Sequence, residues 1–175
     1  MNGTEVQLTD MLLRREHRAE MQNLFLQKYH CPLISFCMNI PGPIKTNDLI
    51  RNAFDDGVRT LKKALNASDL NNVKILDILE IHEPTGDELL MAADFPAESL
   101  KDITTAIEET HPLGRLFDMD VLDTNGNKLS RPAYRKCLIC SRQAQECARM
   151  RTHSVAEMQE AIEKMLCSVK TRTDD

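Results

Sequence analysis

The order of patterned segments between residues 32 and 123 constrains the fold of this chain more than any other feature. Strand patterns lie at residues 32–40, 73–82, 89–93 and 114–123, and helical patterns lie at residues 47–65 and 96–110. The order is therefore strand, helix, strand, strand, helix, strand, which is that of a ferredoxin-like, or split βαβ, unit. We expect an α+β fold with an antiparallel sheet, two helices on one face, and the first strand paired with the fourth.

Added helices are predicted at both ends of this unit. One runs from about Thr9 to Lys28, and a capping box of Ser154 and Glu157 opens the other. The tail after Ser168 is polar, and we expect it to fray. A length of 175 residues suits one domain with a proper core, so the sequence predicts a single domain over residues 1–175.

Composition restricts the class of protein. Hydrophobic residues make up 42% of the chain and charged residues 28%, which is typical of a soluble globular protein. No apolar run reaches the length of a membrane span, and the first residues lack the apolar region of a signal peptide. We therefore expect a cytoplasmic location, where the 6 cysteines stay reduced or bind metal. The net charge of −5 argues against a general nucleic-acid binder.

Two aspartates lie two positions apart in the last of these strands. Side chains two apart on a strand share a face, so Asp118 and Asp120 lie side by side, with the intervening apolar residues on the other face. Two close carboxylates repel unless a cation or a proton lies between them, and Mg²⁺ that arrives with substrate phosphates is a usual solution. Arg115, just upstream, can hold a phosphate oxygen. The alternative is a solvated edge strand whose acids discourage further strand pairing.

A rigid loop follows the first strand. Pro41 and Pro43 stop that strand, and Thr46 or Asn47 caps the next helix. Lys45 lies in this loop beside the helix N-terminus, and this combination favours an anion site. The alternative is a simple connection in which Lys45 is exposed to solvent.

The segment of residues 131–153 is rich in arginine and cysteine. It has one acid, Glu146, and six basic residues: Arg131, Arg135, Lys136, Arg142, Arg149 and Arg151. In an acidic chain this segment predicts a positive patch for a polyphosphate substrate or an acidic partner protein. The alternative is a solvated face, which is the commoner meaning of a run of charge.

The same segment contains a set of metal-ligating residue types. Cys137 and Cys140 form a Cys-x₂-Cys pair, and Cys147 and His153 follow. These are the ligand types of a closed Cys₃His zinc site, although the last two lie closer together than in common zinc modules. The alternative is reduced thiols buried as small apolar residues. A thioredoxin-like redox pair is disfavoured, since it needs no third thiol.

These residues carry a resemblance to a known family. The matching runs are Asn39–Lys45, His111–Val121, Leu129–Arg131, Cys137–Cys140 with Cys147, Arg149, Arg151 and His153, and Arg14–Arg18. Together they cover almost the whole chain, and Gly-Arg-Leu-x-Asp-x-Asp-Val is the most specific of them. The chain resembles the holo-citrate-lyase synthase family, also called apo-citrate-lyase phosphoribosyl-dephospho-CoA transferase.

The resemblance implies an enzyme with an anionic substrate and a protein partner. Such an enzyme transfers 2′-(5″-triphosphoribosyl)-3′-dephospho-CoA to a serine of the acyl carrier (γ) subunit of citrate lyase. A phosphodiester forms and pyrophosphate leaves, and neither a nucleic acid nor a membrane takes part. Residues 1–175 are then one catalytic domain.

The chemistry of this reaction suggests roles for the singled-out residues. Asp118 and Asp120 are the expected Mg²⁺ ligands, with Arg115 on a phosphate. His111 is the expected acceptor of the serine proton, because its ordinary pKa lies near neutrality. Lys45, Arg131 and Arg135 are expected to contact phosphate or the carrier protein, and the alternative for His111 is a polar residue at a helix end.

Three other functions stay open at this point. The first is a metal-dependent nucleotidyltransferase that acts on another carrier protein. The second is a zinc-binding adaptor without catalysis, and the third is a thiol-redox protein with a reversible Cys137–Cys140 disulfide.

Overall fold

The computed structural model describes residues 1–67, 73–131 and 133–173. Its helices are α1 (Leu8–Tyr29), α2 (Asp48–Leu65), α3 (Ala97–Thr110), α4 (Ala144–Met150) and α5 (Val155–Thr173), and its strands are β1 (Leu33–Met38), β2 (Lys74–Glu83), β3 (Gly86–Asp94) and β4 (Phe117–Leu122). The order of elements from β1 to β4 is the predicted one, and α5 continues past Ser168. None of the helices in these described ranges is long and apolar enough to cross a membrane.

The four strands form one antiparallel sheet in the order β2-β3-β1-β4. The predicted pairing of the first and fourth strands is confirmed, with Asp120 of β4 opposite Ser35 and Asp118 opposite Cys37. Since β4 has a partner on one side only, Asp118 and Asp120 lie on an edge strand of this sheet.

The main hydrophobic core lies between one face of the sheet and helices α2, α3 and α5. Phe36 of β1 stacks on Phe54 of α2 with ring centroids 4.9 Å apart, and it meets Phe117 of β4 edge-on at 5.3 Å. All three rings are fully buried. Of the two predicted caps, Asn47 caps α2 by accepting a hydrogen bond from the backbone nitrogen of Ile50 at 3.0 Å. Because the apolar side chains of β4 pack into this core, the other face of β4 points away from it.

Helix α1 covers the opposite face of the sheet. Phe25 and Leu26 pack there against apolar side chains that include Leu90 of β3. Nearer its N-terminus the helix buries Arg14, whose Nη2 lies 2.7 Å from the buried carboxylate of Glu88. The helix therefore covers an apolar half and a polar half of this face.

The structure corrects the start of the last predicted strand. Residues 114–116 form a 3₁₀ turn, in which the Leu116 nitrogen donates to the Leu113 carbonyl at 2.8 Å, and extended backbone begins only at Phe117. A Cβ on Gly114 would lie 2.5 Å from the carbonyl oxygen of Glu108 in α3. The chain leaves α3 through a tight turn before it enters the sheet, and this close approach is a tertiary effect that alternation of residue types does not reveal.

The close approach at Gly114 leads to a stability prediction. Gly114→Ala is expected to lower the free energy of unfolding by roughly 1–3 kcal/mol, because the added methyl group meets backbone oxygens that cannot rotate away. Urea unfolding of the variant and the wild type measures the difference. Equal free energies of unfolding would show that the turn accepts a side chain without cost.

Candidate functional site

The two aspartates of β4 share one face of the strand, as predicted. Phe117, Met119 and Val121 are fully buried on the other face, while Asp118 and Asp120 are half-buried. The Cys37 thiol on the neighbouring strand lies 3.9 Å from an Asp118 carboxylate oxygen. Burial raises the pKa of Cys37 to about 12, so this thiol stays protonated and donates to the carboxylate.

Side chains cover the outward edge of β4. Glu108 of α3 accepts a hydrogen bond from the Met119 nitrogen at 2.7 Å, and Lys101 of α3 donates to the Met119 carbonyl at 3.2 Å. Arg135 donates to the Phe117 carbonyl. Side chains from α3 and from the arginine-rich segment of residues 131–153, which we call the basic segment, therefore satisfy backbone groups that a neighbouring strand would otherwise satisfy.

Glu108 also joins the basic segment to the aspartate strand. Arg131 makes an ion pair with its carboxylate, and Arg135 lies 3.8 Å from one Glu108 oxygen and 3.6 Å from an Asp118 oxygen. Burial raises the pKa of Glu108, while the Met119 amide and both arginines act in the opposite direction. Glu108 thus holds both arginines at the aspartate strand, and Arg135 lies beside Asp118.

These groups line a cavity of about 540 Å³, which we call the strand-edge cavity. Its charged lining residues are Lys101, Glu108, Asp118, Asp120, Lys128, Arg131 and Arg135. Asp120 pairs with Lys128 at 2.5 Å, so both charge signs are present on the wall. Such a cavity can bind an anion at its cations while its carboxylates keep those cations oriented.

The predicted Mg²⁺ at Asp118 and Asp120 finds no support in this geometry. Both carboxylates already face a cationic side chain, Arg135 or Lys128. Among the residues that the structure describes, only one group of three or more His, Cys, Asp or Glu side chains is close enough to share a metal, and it does not include these aspartates.

That group is the Cys/His cluster, formed by Cys137, Cys140, Cys147 and His153. Their ligand atoms all lie within 4.8 Å of one another. The Cys140 sulfur lies 3.5 Å from the Cys147 sulfur and 3.3 Å from Nε2 of His153. The predicted set of residues is thus brought together, and the cluster can bind a metal ion such as zinc.

Local backbone structure brings the four ligands together. The Cys137 nitrogen donates to the Arg142 carbonyl at 2.7 Å, which closes a tight hairpin around Cys137 and Cys140. Cys147 lies buried in α4, and Arg151 then adopts the left-handed conformation at φ 48°. This left-handed residue ends α4 and turns the chain back, so that His153 reaches the cysteines.

The thiols of the cluster have different proton affinities. Burial raises the pKa of Cys137, but hydrogen bonds from the Cys140 and Ile139 backbone amides outweigh it, so the net shift is downward. Burial raises the pKa of Cys147 to about 11. Cys147 therefore keeps its proton at neutral pH unless a metal displaces it.

A second cavity of about 710 Å³ lies between this hairpin and the start of α5, and we call it the hairpin cavity. Its basic lining residues are Arg115, Arg135, Lys136 and Arg151, and its larger apolar ones are Pro41, Leu138, Val155 and Met158. Arg135, Ala144 and Gln145 line both cavities, so the two adjoin.

His111 lies apart from both cavities. Its Nδ1 accepts a hydrogen bond from the Leu113 nitrogen at 3.1 Å, and its Nε2 lies 3.1 Å from Asp56 of α2. Its ring packs against Phe117, on the face of β4 opposite Asp118. These contacts give His111 a position at the end of α3 that is separated from the aspartates by the strand.

Lys45 is also outside the lining of the two cavities. Its Nζ donates to the Ile40 carbonyl at 2.8 Å, which closes the loop after β1. Burial lowers its pKa, and the charge of Arg15 on α1 acts in the same direction. Neither of the two cavities therefore joins Lys45 to the aspartates.

Several residues of the site escaped the sequence reasoning. Lys101, Thr104 and Glu108 are buried on one side of α3 and face β4. Their spacing of three and four residues is visible in the sequence, but a polar stripe on a helix normally faces water. Lys128 follows the turn after β4 and makes a single antiparallel bridge to Leu122.

Comparisons with known proteins place the chain in a family. A sequence profile of a family described as apo-citrate lyase phosphoribosyl-dephospho-CoA transferase matches residues 6–169. A relative from Streptococcus pyogenes serotype M18, named a probable apo-citrate lyase phosphoribosyl-dephospho-CoA transferase, is 41% identical over 95% of this chain and 88% of its own length.

Relatives from two further organisms extend the match. A protein of the same probable designation from Vibrio cholerae is 37% identical over 91% of each chain. A protein from Escherichia coli named apo-citrate lyase phosphoribosyl-dephospho-CoA transferase is 36% identical over 94% of this chain and 90% of its own. The profile match and these identities lead to one conclusion: the chain belongs to the apo-citrate lyase phosphoribosyl-dephospho-CoA transferase family.

Proposed function

We propose that this chain is a transferase that attaches the citrate lyase prosthetic group. It transfers 2′-(5″-triphosphoribosyl)-3′-dephospho-CoA to a serine of the acyl carrier subunit of apo-citrate lyase and releases pyrophosphate. The observation that carries this proposal is family membership over residues 6–169. The strand-edge cavity supports it, because it places Asp118 beside cations suited to a polyphosphate.

The cavity supplies the groups that such a transfer needs. The serine oxygen attacks the phosphorus nearest the ribose, and the bond from that phosphorus to pyrophosphate breaks. Negative charge grows on the departing pyrophosphate, and in this proposal Arg131 and Arg135, which line the cavity, stabilise it. The serine proton passes to Asp118, which is 42% exposed and lines the cavity.

The other predicted site residues take lesser parts in this proposal. Asp120 orients Lys128 at the same wall, and Arg115 binds phosphate from the adjoining cavity. Asp118 is better placed than His111 to accept the proton, because His111 contacts α2 instead. A phosphate or carrier contact at Lys45 stays a prediction.

We further propose zinc as the metal of the Cys/His cluster. Three thiolates and one imidazole form a closed tetrahedral set, which suits a structural zinc with no open position for chemistry. The sheet order β2-β3-β1-β4, with a helix in each crossover, favours the split βαβ arrangement, and we treat the chain as one catalytic domain.

A carrier-modification assay tests the proposed function. Purified protein is incubated with apo carrier subunit and the triphosphoribosyl-dephospho-CoA precursor, and the intact mass of the carrier is measured. We expect the carrier to gain one prosthetic group, and a carrier whose acceptor serine is replaced by alanine to gain none. A folded protein that leaves the carrier unmodified would overturn the proposal. Selective modification of a different carrier protein would overturn the assignment of the citrate lyase subunit as the partner.

The outward arginines of the basic segment lead to a prediction about the carrier. Arg142 and Arg149 are exposed, and neither makes an ion pair within the described part of the chain. Charge reversal at either residue is expected to slow carrier capture about threefold to tenfold at low salt and to leave maximal turnover unchanged.

Transfer rates against carrier concentration at several salt levels measure this effect. Steering between exposed charges weakens with salt, so the variants should also show a flatter salt dependence. Lys63→Glu, on α2, is the matched control because Lys63 is exposed outside the basic segment. The same salt dependence in Arg142→Glu, Arg149→Glu and wild type would mean that this face does not meet the carrier.

A further inference from the structure

We propose that the hairpin cavity binds the dephospho-CoA portion of the precursor, and that the metal of the Cys/His cluster holds one wall of this cavity in place. The inference rests on the proposed function and adds the location of the substrate. It also gives the metal a specific task, which is to shape a binding site rather than to take part in phosphoryl transfer.

The charge of the hairpin cavity is the first argument. Four cationic side chains and no carboxylate line it among the described residues, in a chain with a net charge of −5. Arg115 is half-buried and makes no ion pair within residues 1–67, 73–131 and 133–173. Burial lowers its pKa, and the neighbouring charge of Arg135 lowers it further. A polyanion would relieve this repulsion between arginines.

The apolar wall is the second argument. Pro41, Leu138, Val155 and Met158 are part of the cavity lining. Apolar side chains suit a nucleobase, while the arginines suit the phosphates attached to it. A volume of about 710 Å³ lies within the range of small-molecule sites and fits a nucleotide-sized ligand.

The junction with the strand-edge cavity is the third argument. Arg135 lines both cavities and lies 3.6 Å from Asp118. A precursor held in the hairpin cavity can therefore extend its triphosphate toward Arg135. The carrier serine then enters the strand-edge cavity from the other side and meets the reacting phosphorus beside Asp118.

The Cys/His cluster forms part of the wall. Cys137, Cys147 and His153 line the hairpin cavity, and Arg151 lies between two of these ligands in the sequence. The backbone that carries Lys136, Leu138 and Arg151 is therefore tied to the metal ligands. Removing the metal frees this backbone, and we expect the cavity to lose its shape before the sheet unfolds.

Binding of dephospho-CoA itself tests the inference without any transfer reaction. Titration calorimetry of the full-length, metal-loaded protein measures its dissociation constant. Arg115→Met and Arg151→Met are each expected to weaken binding about tenfold or more, the equivalent of one lost charge-assisted hydrogen bond. Lys63→Met is the control, because Lys63 is exposed on α2 outside the cavity lining, and its affinity should equal that of the wild type.

A second arm tests the metal. Chelation of the wild-type protein should weaken dephospho-CoA binding about tenfold or more, and added Zn²⁺ should restore it. Inorganic tripolyphosphate should compete with dephospho-CoA in the wild type and more weakly in Arg115→Met. Unchanged affinity after verified loss of the metal would overturn the role of the metal.

The outcomes separate this inference from the proposed function. A protein that modifies the carrier, but whose Arg115 and Arg151 variants bind dephospho-CoA normally, overturns the location and leaves the transferase intact. A protein that binds dephospho-CoA through these arginines but modifies no carrier supports the location and overturns the transferase. Since Arg151 is exposed, Arg151→Met is expected to fold. Its affinity for dephospho-CoA then reports on the cavity and not on unfolding.

Discussion

Asp118→Asn is expected to lower the rate of carrier modification by about 100-fold or more while the protein stays folded. Asparagine keeps the shape of the side chain but cannot accept the serine proton, and it removes the charge that faces Arg135 at 3.6 Å. The side chain is 42% exposed, so its loss should disturb packing little. Asp120→Asn is also expected to lower this rate, because it removes the carboxylate that pairs with Lys128.

Single-turnover transfer, followed by carrier mass and with folding checked by circular dichroism, measures the effect. Asp102→Asn is the matched control, since Asp102 is exposed on α3 and should transfer at the wild-type rate. Wild-type transfer by correctly folded Asp118→Asn would remove this residue from the mechanism. The magnesium hypothesis would be restored if transfer by the wild type needed added Mg²⁺ and both variants needed a higher Mg²⁺ concentration than the wild type.

Cys147→Ser is expected to abolish metal binding and to lower the free energy of unfolding by about 3 kcal/mol or more. Cys147 is the buried ligand of the cluster, and a serine hydroxyl is a poor ligand for a thiolate-preferring metal. The loss should extend to dephospho-CoA binding, because the same hairpin walls the cavity.

Elemental analysis of protein prepared without a metal-binding tag or chelator gives the zinc content, and thermal unfolding gives the stability. Cys167→Ser is the control, because Cys167 is an exposed thiol on α5 outside the cluster. The wild type should hold about one zinc per chain and lose stability when it is chelated. Metal-free wild type that is as stable as the metal-treated protein would support the buried-thiol alternative.

Most of the element order could be predicted from the sequence, because the patterns that define it are local. Alternation in β4, the cap at Asn47 and the turn before Gly86 each depend on a few neighbouring residues. The start of β4 could not be predicted, since the turn at Gly114 depends on contact with Glu108 in another element.

The site was predictable in its parts but not in its assembly. Residue types and spacing identified the cluster ligands, yet their meeting depends on the left-handed backbone of Arg151, a residue that rarely adopts it. Composition also does not reveal that the arginines of the basic segment point in two directions. Arg131 and Arg135 turn inward to Glu108, whereas Arg142 faces solvent.

The covered edge of β4 has a consequence for partner choice. With the Met119 amide and carbonyl both taken by α3, a partner cannot extend the sheet at this edge through main-chain pairing. Recognition next to Asp118 must then use side chains. Most substitutions leave main-chain hydrogen bonds between strands in place, whereas a substitution in a side-chain contact changes that contact directly. If the carrier binds here as proposed, carrier preference can diverge between relatives through a few surface exchanges, while the sheet and its two aspartates stay the same.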